Sequence, residues 1–166
     1  CHKPPFPAND GGTRAMHANT LAFAELGHTV DVVTLETPKH PMRWDELTDE
    51  YLELTKPEVH FHNSTPTKLG AITSMVFGEN FHLQRFDVPE VHALISKKLS
   101  EYDYDVVWFE SVYTACYLKT IRANAPNTKC ILRAHNIEHL LWEGRLSEYP
   151  AYMQPIIKSF NKRLEV

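Results

Sequence analysis

Cysteine is scarce in this 166-residue chain, with only Cys1, Cys116 and Cys130. They lie far apart and show no paired metal-type spacing, so neither a disulfide framework nor a zinc site is indicated. That usage fits a reducing compartment, with Cys116 and Cys130 as small core residues. A basic excess is missing too. Seventeen Lys and Arg face twenty-one Asp and Glu, a formal charge of -4, which leaves no electrostatic footprint for nucleic acid. No apolar run approaches the length of a membrane span, and no charged-then-apolar leader suggests secretion. Asn63-Ser64-Thr65 matches a glycosylation acceptor, but such triplets arise by chance. Glycine is sparse as well, with six residues, and that makes the adjacent pair Gly11-Gly12 conspicuous.

What is present is a soluble globular composition, 43% apolar and 23% charged, in a chain long enough to bury a core of two or three layers. Opening on Cys1 in a loop-like stretch and stopping at Val166 within a helical pattern, the chain reads as a piece of a longer polypeptide.

Pro4-Pro5-Phe6-Pro7 is stiff and extended and delivers the backbone to Asn9-Asp10-Gly11-Gly12-Thr13-Arg14. Two glycines permit a sharp turn and close ligand approach, and the helix that follows offers free N–H groups to an anion. The plain alternative is an ordinary strand-to-helix turn. The helix is expected over Thr13 to Leu26 and ends at Gly27-His28. Thr29 to Leu35 reads as a parallel strand covered on both faces. Glu36 at its end stands where a dinucleotide fold keeps its ribose-binding acid, but that reading needs three spaced glycines and only the pair exists.

Trp44 to Leu54 reads as a short acidic helix or turn, and Glu58 to His62 as a short strand. His60 and His62 share a face that a metal could use, yet without a third ligand they read as surface histidines of an edge strand. Residues 67–77 are weakly helical and 78–86 loop-like. Pro89 to Glu101 is a helix started by its proline. Tyr104 to Phe109 is a buried strand ending at Glu110-Ser111, Tyr113 to Asn124 a helix, and Lys129 to Ala134 a further strand. Alternation of strands and helices implies right-handed crossovers and a parallel sheet. Ligands of such sheets bind outside the strands' carboxyl ends, where Gly11, Gly12, Glu36, Glu110, Ser111 and His135 all fall.

His135-Asn136-Ile137-Glu138-His139 satisfies the pattern of the inverted zinc peptidases, which needs both histidines on one helical face. The preceding strand argues against it, because it places His135 in a strand-end loop with any helix starting near Glu138. A histidine and asparagine that merely close the loop are the other alternative.

Three segments in order, Pro4 to Arg14, Leu26 to Val30 and Arg133 to Glu143, together resemble the N-terminal domain of family 4 (group 1) retaining glycosyltransferases. The similarity spans essentially the whole chain. It implies the N-terminal half of a GT-B architecture: a Rossmann-like α/β domain, a parallel sheet with helices on both faces, over residues 1–148. Residues 149–166 would lead towards a C-terminal donor-binding domain. It further implies transfer of a sugar, in carbohydrate biosynthesis, from a nucleotide-diphosphate sugar to a glycan, small-molecule or lipid-linked acceptor. The reaction would retain configuration and need neither metal nor cofactor. The resemblance makes His135 the catalytic residue, positioning and polarising without acting as general base. It brings Gly11, Gly12, Thr13, Arg14, Glu110, Ser111, Asn136 and Glu138 to the substrate, although Arg14 and Glu138 serve equally well as loop-stabilising partners. The 166 residues alone are expected to have no transferase activity. A cytoplasmic location follows. The stripe of Met153, Ile156, Ile157, Phe160 and Leu164 either packs on its own sheet or, in enzymes with lipid acceptors, touches the inner leaflet of the membrane. Two rivals remain open: a GT-B nucleotide-sugar epimerase using Glu36 or Glu110, and a non-catalytic carbohydrate-binding or scaffold domain.

Overall fold

Asp10 decides where the first helix begins. Its carboxylate accepts the Thr13 N–H at 2.9 Å while Thr13 Oγ1 accepts the Asp10 N–H at 2.9 Å, a reciprocal capping box that satisfies two otherwise orphan donors. A computed structural model describes residues 1–67, 69–70, 73–74 and 80–162, and in it α1 runs Gly11–Glu25. The helix thus starts two residues before the expected Thr13. The glycine pair forms its first turn and is not an open loop. The far end follows expectation: Gly27 adopts φ 86°, and His28 and Gly27 donate back to Phe23 and Ala24 at 3.1 and 2.9 Å, the paired bonds of a Schellman stop.

The chain then forms β1 (Val33–Glu36), a 3-10 turn at Trp44–Glu46, α2 (Asp49–Thr55) and β2 (Glu58–Phe61). Thr48 caps α2 by accepting the Tyr51 N–H at 3.2 Å, which splits the expected Trp44 to Leu54 helix in two. β1 and β2 pair in parallel, Val33 opposite Glu58. Residues 29–32 precede that ladder, so the strand is shorter than its β-branched run.

The weakly helical stretch expected over 67–77 lies largely outside the described residues. The loop expected over 78–86 contains a short helix, α3 (Phe81–Gln84), because Asn80 Oδ1 accepts the His82 and Leu83 N–H groups at 2.8 and 3.3 Å. α4 (Pro89–Glu101) begins on its proline. β3 (Val106–Glu110), a 3-10 segment (Val112–Tyr117), α5 (Leu118–Asn124) and β4 (Lys129–Arg133) follow, with Val106 opposite Lys129 in a second parallel pair. α6 (Glu138–Gly144), a 3-10 turn (Leu146–Glu148) and α7 (Gln154–Lys162) close the described chain.

The result is an α/β protein with parallel strands, but the described strands form two separate two-stranded sheets instead of one. Leu35, Val88, Val91, Phe109, Tyr117 and Ile121 make a buried cluster with Cys116 and Cys130 against it. The cysteines therefore take the packing role expected of them. Burial on both faces fails at β4, where Ile131 and Leu132 are 39% and 45% exposed. Ile157 and Phe160 of α7 are buried, while Ile156 of the same helix and Met153 just before it remain exposed. Phe160 meets Phe81 at 5.7 Å and accepts from Asn80 Nδ2 at 3.0 Å, so this stripe packs on α3; Leu164 lies outside the described residues. Among the described residues no helix is long and apolar enough to cross a membrane.

Candidate functional site

β3 and β4 finish together, since their register sets Glu110 opposite Arg133. The residues that follow each strand, Ser111 and His135, are thereby delivered to the same edge. There they meet the head of α1 around a polar pocket of about 140 Å³ lined by His2, Lys3, Asp10, Gly12, Ser111, His135, Asn136 and Glu138. Five of the nine residues expected at the site, Gly12, Ser111, His135, Asn136 and Glu138, are brought together here.

Glu110 lies beneath this pocket, 4% exposed. Its Oε1 accepts from Asn19 Nδ2 at 3.2 Å and from Arg133 at 3.4 Å. Its Oε2 sits 2.8 Å from His135 Nε2, although neither atom has the alignment of a hydrogen bond. A buried carboxylate needs compensation of this kind, and two cationic or potentially cationic neighbours supply it. Glu110 is thus committed to protein partners, supporting the pocket from below.

Ser111 turns the chain out of β3 at φ 89° and ψ 147°, a conformation that L-residues other than glycine adopt only at a cost of about 1–3 kcal/mol. It is buried, and its N–H is fixed by the Arg133 carbonyl at 2.9 Å. Strain held this way makes Ser111 a rigid wall.

Lys3 donates to both oxygens of Asp10, at 2.9 and 2.7 Å. Burial alone would raise the Asp10 carboxyl, but the Lys3 and Thr13 hydrogen bonds outweigh it and hold the pKa down to about 2. The head of α1 therefore already carries an anion, and a resident carboxylate occupies much of what an incoming phosphate would use. Gly12 permits this closure: a Cβ there would stand 3.2 Å from Asp10 Oδ1 and 3.4 Å from Lys3 Nζ. On the opposite wall Glu138 accepts the Tyr113 hydroxyl at 2.8 Å, and Trp142 donates to that hydroxyl at 3.3 Å. His2, whose Nδ1 lies 3.2 Å from the Glu110 carbonyl, is pulled to about 3 by burial against the raising effect of that contact. It is neutral at physiological pH.

The remaining expected residues lie elsewhere. Gly11 is exposed with no atom near its absent Cβ. Thr13 is buried in the capping box, and Arg14 Nε donates to the Ala8 carbonyl at 3.2 Å. Glu36 accepts the Met42 N–H at 3.3 Å and does not line the pocket. α6 starts after His135, so His135 and His139 do not share a helical face. Among the described residues no group of three His, Cys, Asp or Glu side chains is placed to hold a metal ion.

Sequence reasoning passed over His2, Lys3, Asp10, Asn19 and Arg133. The signal for Asp10 was present, because Asp immediately ahead of an apolar helix is a preferred N-cap residue. Comparison with protein-family models, with characterised proteins and with solved structures finds no match to this chain.

Proposed function

We propose that the chain is the acceptor-side domain of a metal-independent retaining glycosyltransferase, a Rossmann-like half of a GT-B pair that works with a second, donor-binding domain. The observation that carries this reading is the pocket itself. His135 and Gly12, from opposite ends of the chain, line one small polar site at the carboxyl ends of parallel strands.

Its chemistry favours hydroxyl-rich ligands over polyanions. Asp10 and Glu138 outweigh Lys3 on its walls, and both carboxylates accept hydrogen bonds. A sugar or other polyol offers donors to such groups, whereas a diphosphate would meet like charge. In the reaction the bond from the anomeric carbon to the diphosphate oxygen breaks, and the acceptor oxygen bonds to that carbon on the same face. The acceptor's proton passes to the departing diphosphate, so no protein base is required. His135 positions the reacting groups and polarises them, held from below by Glu110. The epimerase alternative asks for an uncommitted carboxylate at a strand end, and both Glu36 and Glu110 already have partners.

The test uses the two-domain protein that the reading requires, incubated with a panel of nucleotide-diphosphate sugars without acceptor or added metal. Released nucleotide from one donor, reduced about 100-fold or more by His135→Ala with donor binding retained, is the expected result. Sugar binding without release from any donor would replace the transferase by a carbohydrate-binding domain.

A further inference from the structure

Arg85, just after α3, is a half-buried cation with no carboxylate partner among the described residues. Other cations packed into the fold have one: Lys3 touches Asp10 at 2.7 Å, Lys98 touches Glu58 at 2.6 Å and Arg133 touches Glu110 at 3.4 Å. Arg85 Nε donates to the Ser64 carbonyl at 2.8 Å. Its Cζ lies 5.6 Å from the centre of the Phe86 ring and 5.9 Å from that of Phe81, a spacing at which an aromatic face holds a cation. These contacts fix the guanidinium and use a single one of its N–H donors. The Nη1–Nη2 edge is left over, and such an edge matches two oxygens of a carboxylate or phosphate. Burial lowers the pKa of Arg85, against a smaller raising effect of Tyr113 and Tyr149. The arginine stays charged all the same, so the fold bears a desolvation cost that no anion among the described residues offsets.

One aromatic layer joins Arg85 to the polar pocket. Phe86 meets His2 at 5.9 Å and Tyr113 at 4.9 Å. His2 lines the pocket, and the Tyr113 hydroxyl donates to Glu138 on its wall at 2.8 Å. Inside the pocket Asp10 and Glu138 present like charge to an anion, and Lys3 is already committed to Asp10. An anionic group carried by a pocket ligand is therefore turned away from the two carboxylates and finds an unmatched cation at Arg85.

We propose that Arg85 is an anion subsite beside the pocket, and that the pocket's ligand is a sugar or other polyol bearing a phosphate or carboxylate group. The hydroxyl end lies between Asp10 and Glu138, and the anion lies on the Nη1–Nη2 edge of Arg85. This assignment rests on the acceptor-site reading of the pocket and gives the acceptor both a class and a direction. Charge sorts the two ends of the molecule, because each end is repelled or left unpaired at the other's place.

The test is nitrogen NMR of the Arg85 Nε–H group and of the His135 ring. Inorganic phosphate and a panel of neutral hexoses, their phosphate monoesters and their uronates are titrated into the protein, into Arg85→Gln and into Arg85→Lys. Inorganic phosphate and the charged sugars are expected to shift the Arg85 signal, and the neutral hexoses are not. A phosphate monoester or a uronate should bind about tenfold or more tightly than its neutral parent sugar, and the tighter of the two names the anion. Arg85→Gln should erase that difference, and Arg85→Lys should keep part of it, since it retains the charge but not the fork. An Arg85 signal that no anion moves, or a charged sugar bound equally by the parent and by Arg85→Gln, overturns the subsite. Anions that move Arg85 while no sugar moves His135 uphold the subsite and overturn the acceptor reading of the pocket. The titrations of the unaltered protein remain decisive where Arg85→Gln disturbs the contact with Ser64.

Discussion

Glu110 Oε2 lies 2.8 Å from His135 Nε2, joining the ends of β3 and β4 beneath the pocket. Removing the carboxylate in Glu110→Ala takes the acceptor from Asn19 and the anionic partner from Arg133, which keeps the Ala15 carbonyl, and is expected to cost about 2 kcal/mol in urea unfolding. Glu110→Gln, which keeps size and one acceptor, is expected to cost about half as much. In both variants the imidazole nitrogen signals of His135 should shift in nitrogen NMR. Unmoved signals would show that Glu110 does not orient the ring.

The two adjacent glycines should respond differently to alanine. Gly11→Ala meets open space and should raise stability by about 0.5 kcal/mol through a less flexible unfolded chain. Gly12→Ala pushes on Asp10 and Lys3, which offsets the same gain. Denaturant midpoints for the pair settle this, and a Gly12 variant as stabilised as the Gly11 one would show that the Lys3–Asp10 closure yields freely.

Ser111→Gly should stabilise the protein by about 1 kcal/mol, because glycine adopts the Ser111 backbone angles without strain. Ser111→Ala keeps the strain and forfeits the Tyr113 N–H contact at 3.4 Å, so it should be neutral or slightly destabilising. Thermal unfolding of both variants separates backbone relief from loss of the hydroxyl.

His82 provides a pH test. Its ring stacks on Trp142 at 4.1 Å, neither nitrogen has a hydrogen-bond partner among the described residues, and burial first, then Arg85, lowers its pKa from 6.5 to about 4. The folded state favours the neutral ring, so the unfolded chain takes up the proton first. This contribution is fully present above pH 6.5 and is lost as pH falls towards 4, on the order of 2 kcal/mol. His82→Phe preserves the stack and should flatten stability between pH 7 and 4.5 relative to the parent. An equal fall in both would place the sensitivity elsewhere.

Much of this was legible because the chemistry is local. Gly27 ends α1, Pro89 begins α4, and His135 follows a strand, each set by its immediate neighbours. The start of α1 was not legible because the glycine pair lacks helix propensity and only the Asp10–Thr13 capping box draws it into the first turn, and α3 because one asparagine cap was enough to fold a stretch with no periodicity. Glu110 read as a substrate ligand, since sequence places it at a strand end without revealing that Asn19 and Arg133 close over it. The exposure of Ile131 and Leu132 was illegible for a similar reason. A β-branched run specifies a strand, but only its neighbours decide which faces are covered.

One arginine sets how the site is able to respond to a ligand. Arg133 Nη1 donates to the Ala15 carbonyl of α1 at 3.0 Å while touching Glu110 at 3.4 Å, and Asn19, one turn further along α1, holds the same carboxylate oxygen. The helix is therefore pinned to the strand ends at two successive turns and moves with them as one body. Adjustment to a bound molecule falls to the opposite bank, at Asn136 and Ile137, where the side chains are exposed. In the proposed site, a larger acceptor would therefore displace the Asn136 loop before it displaced α1.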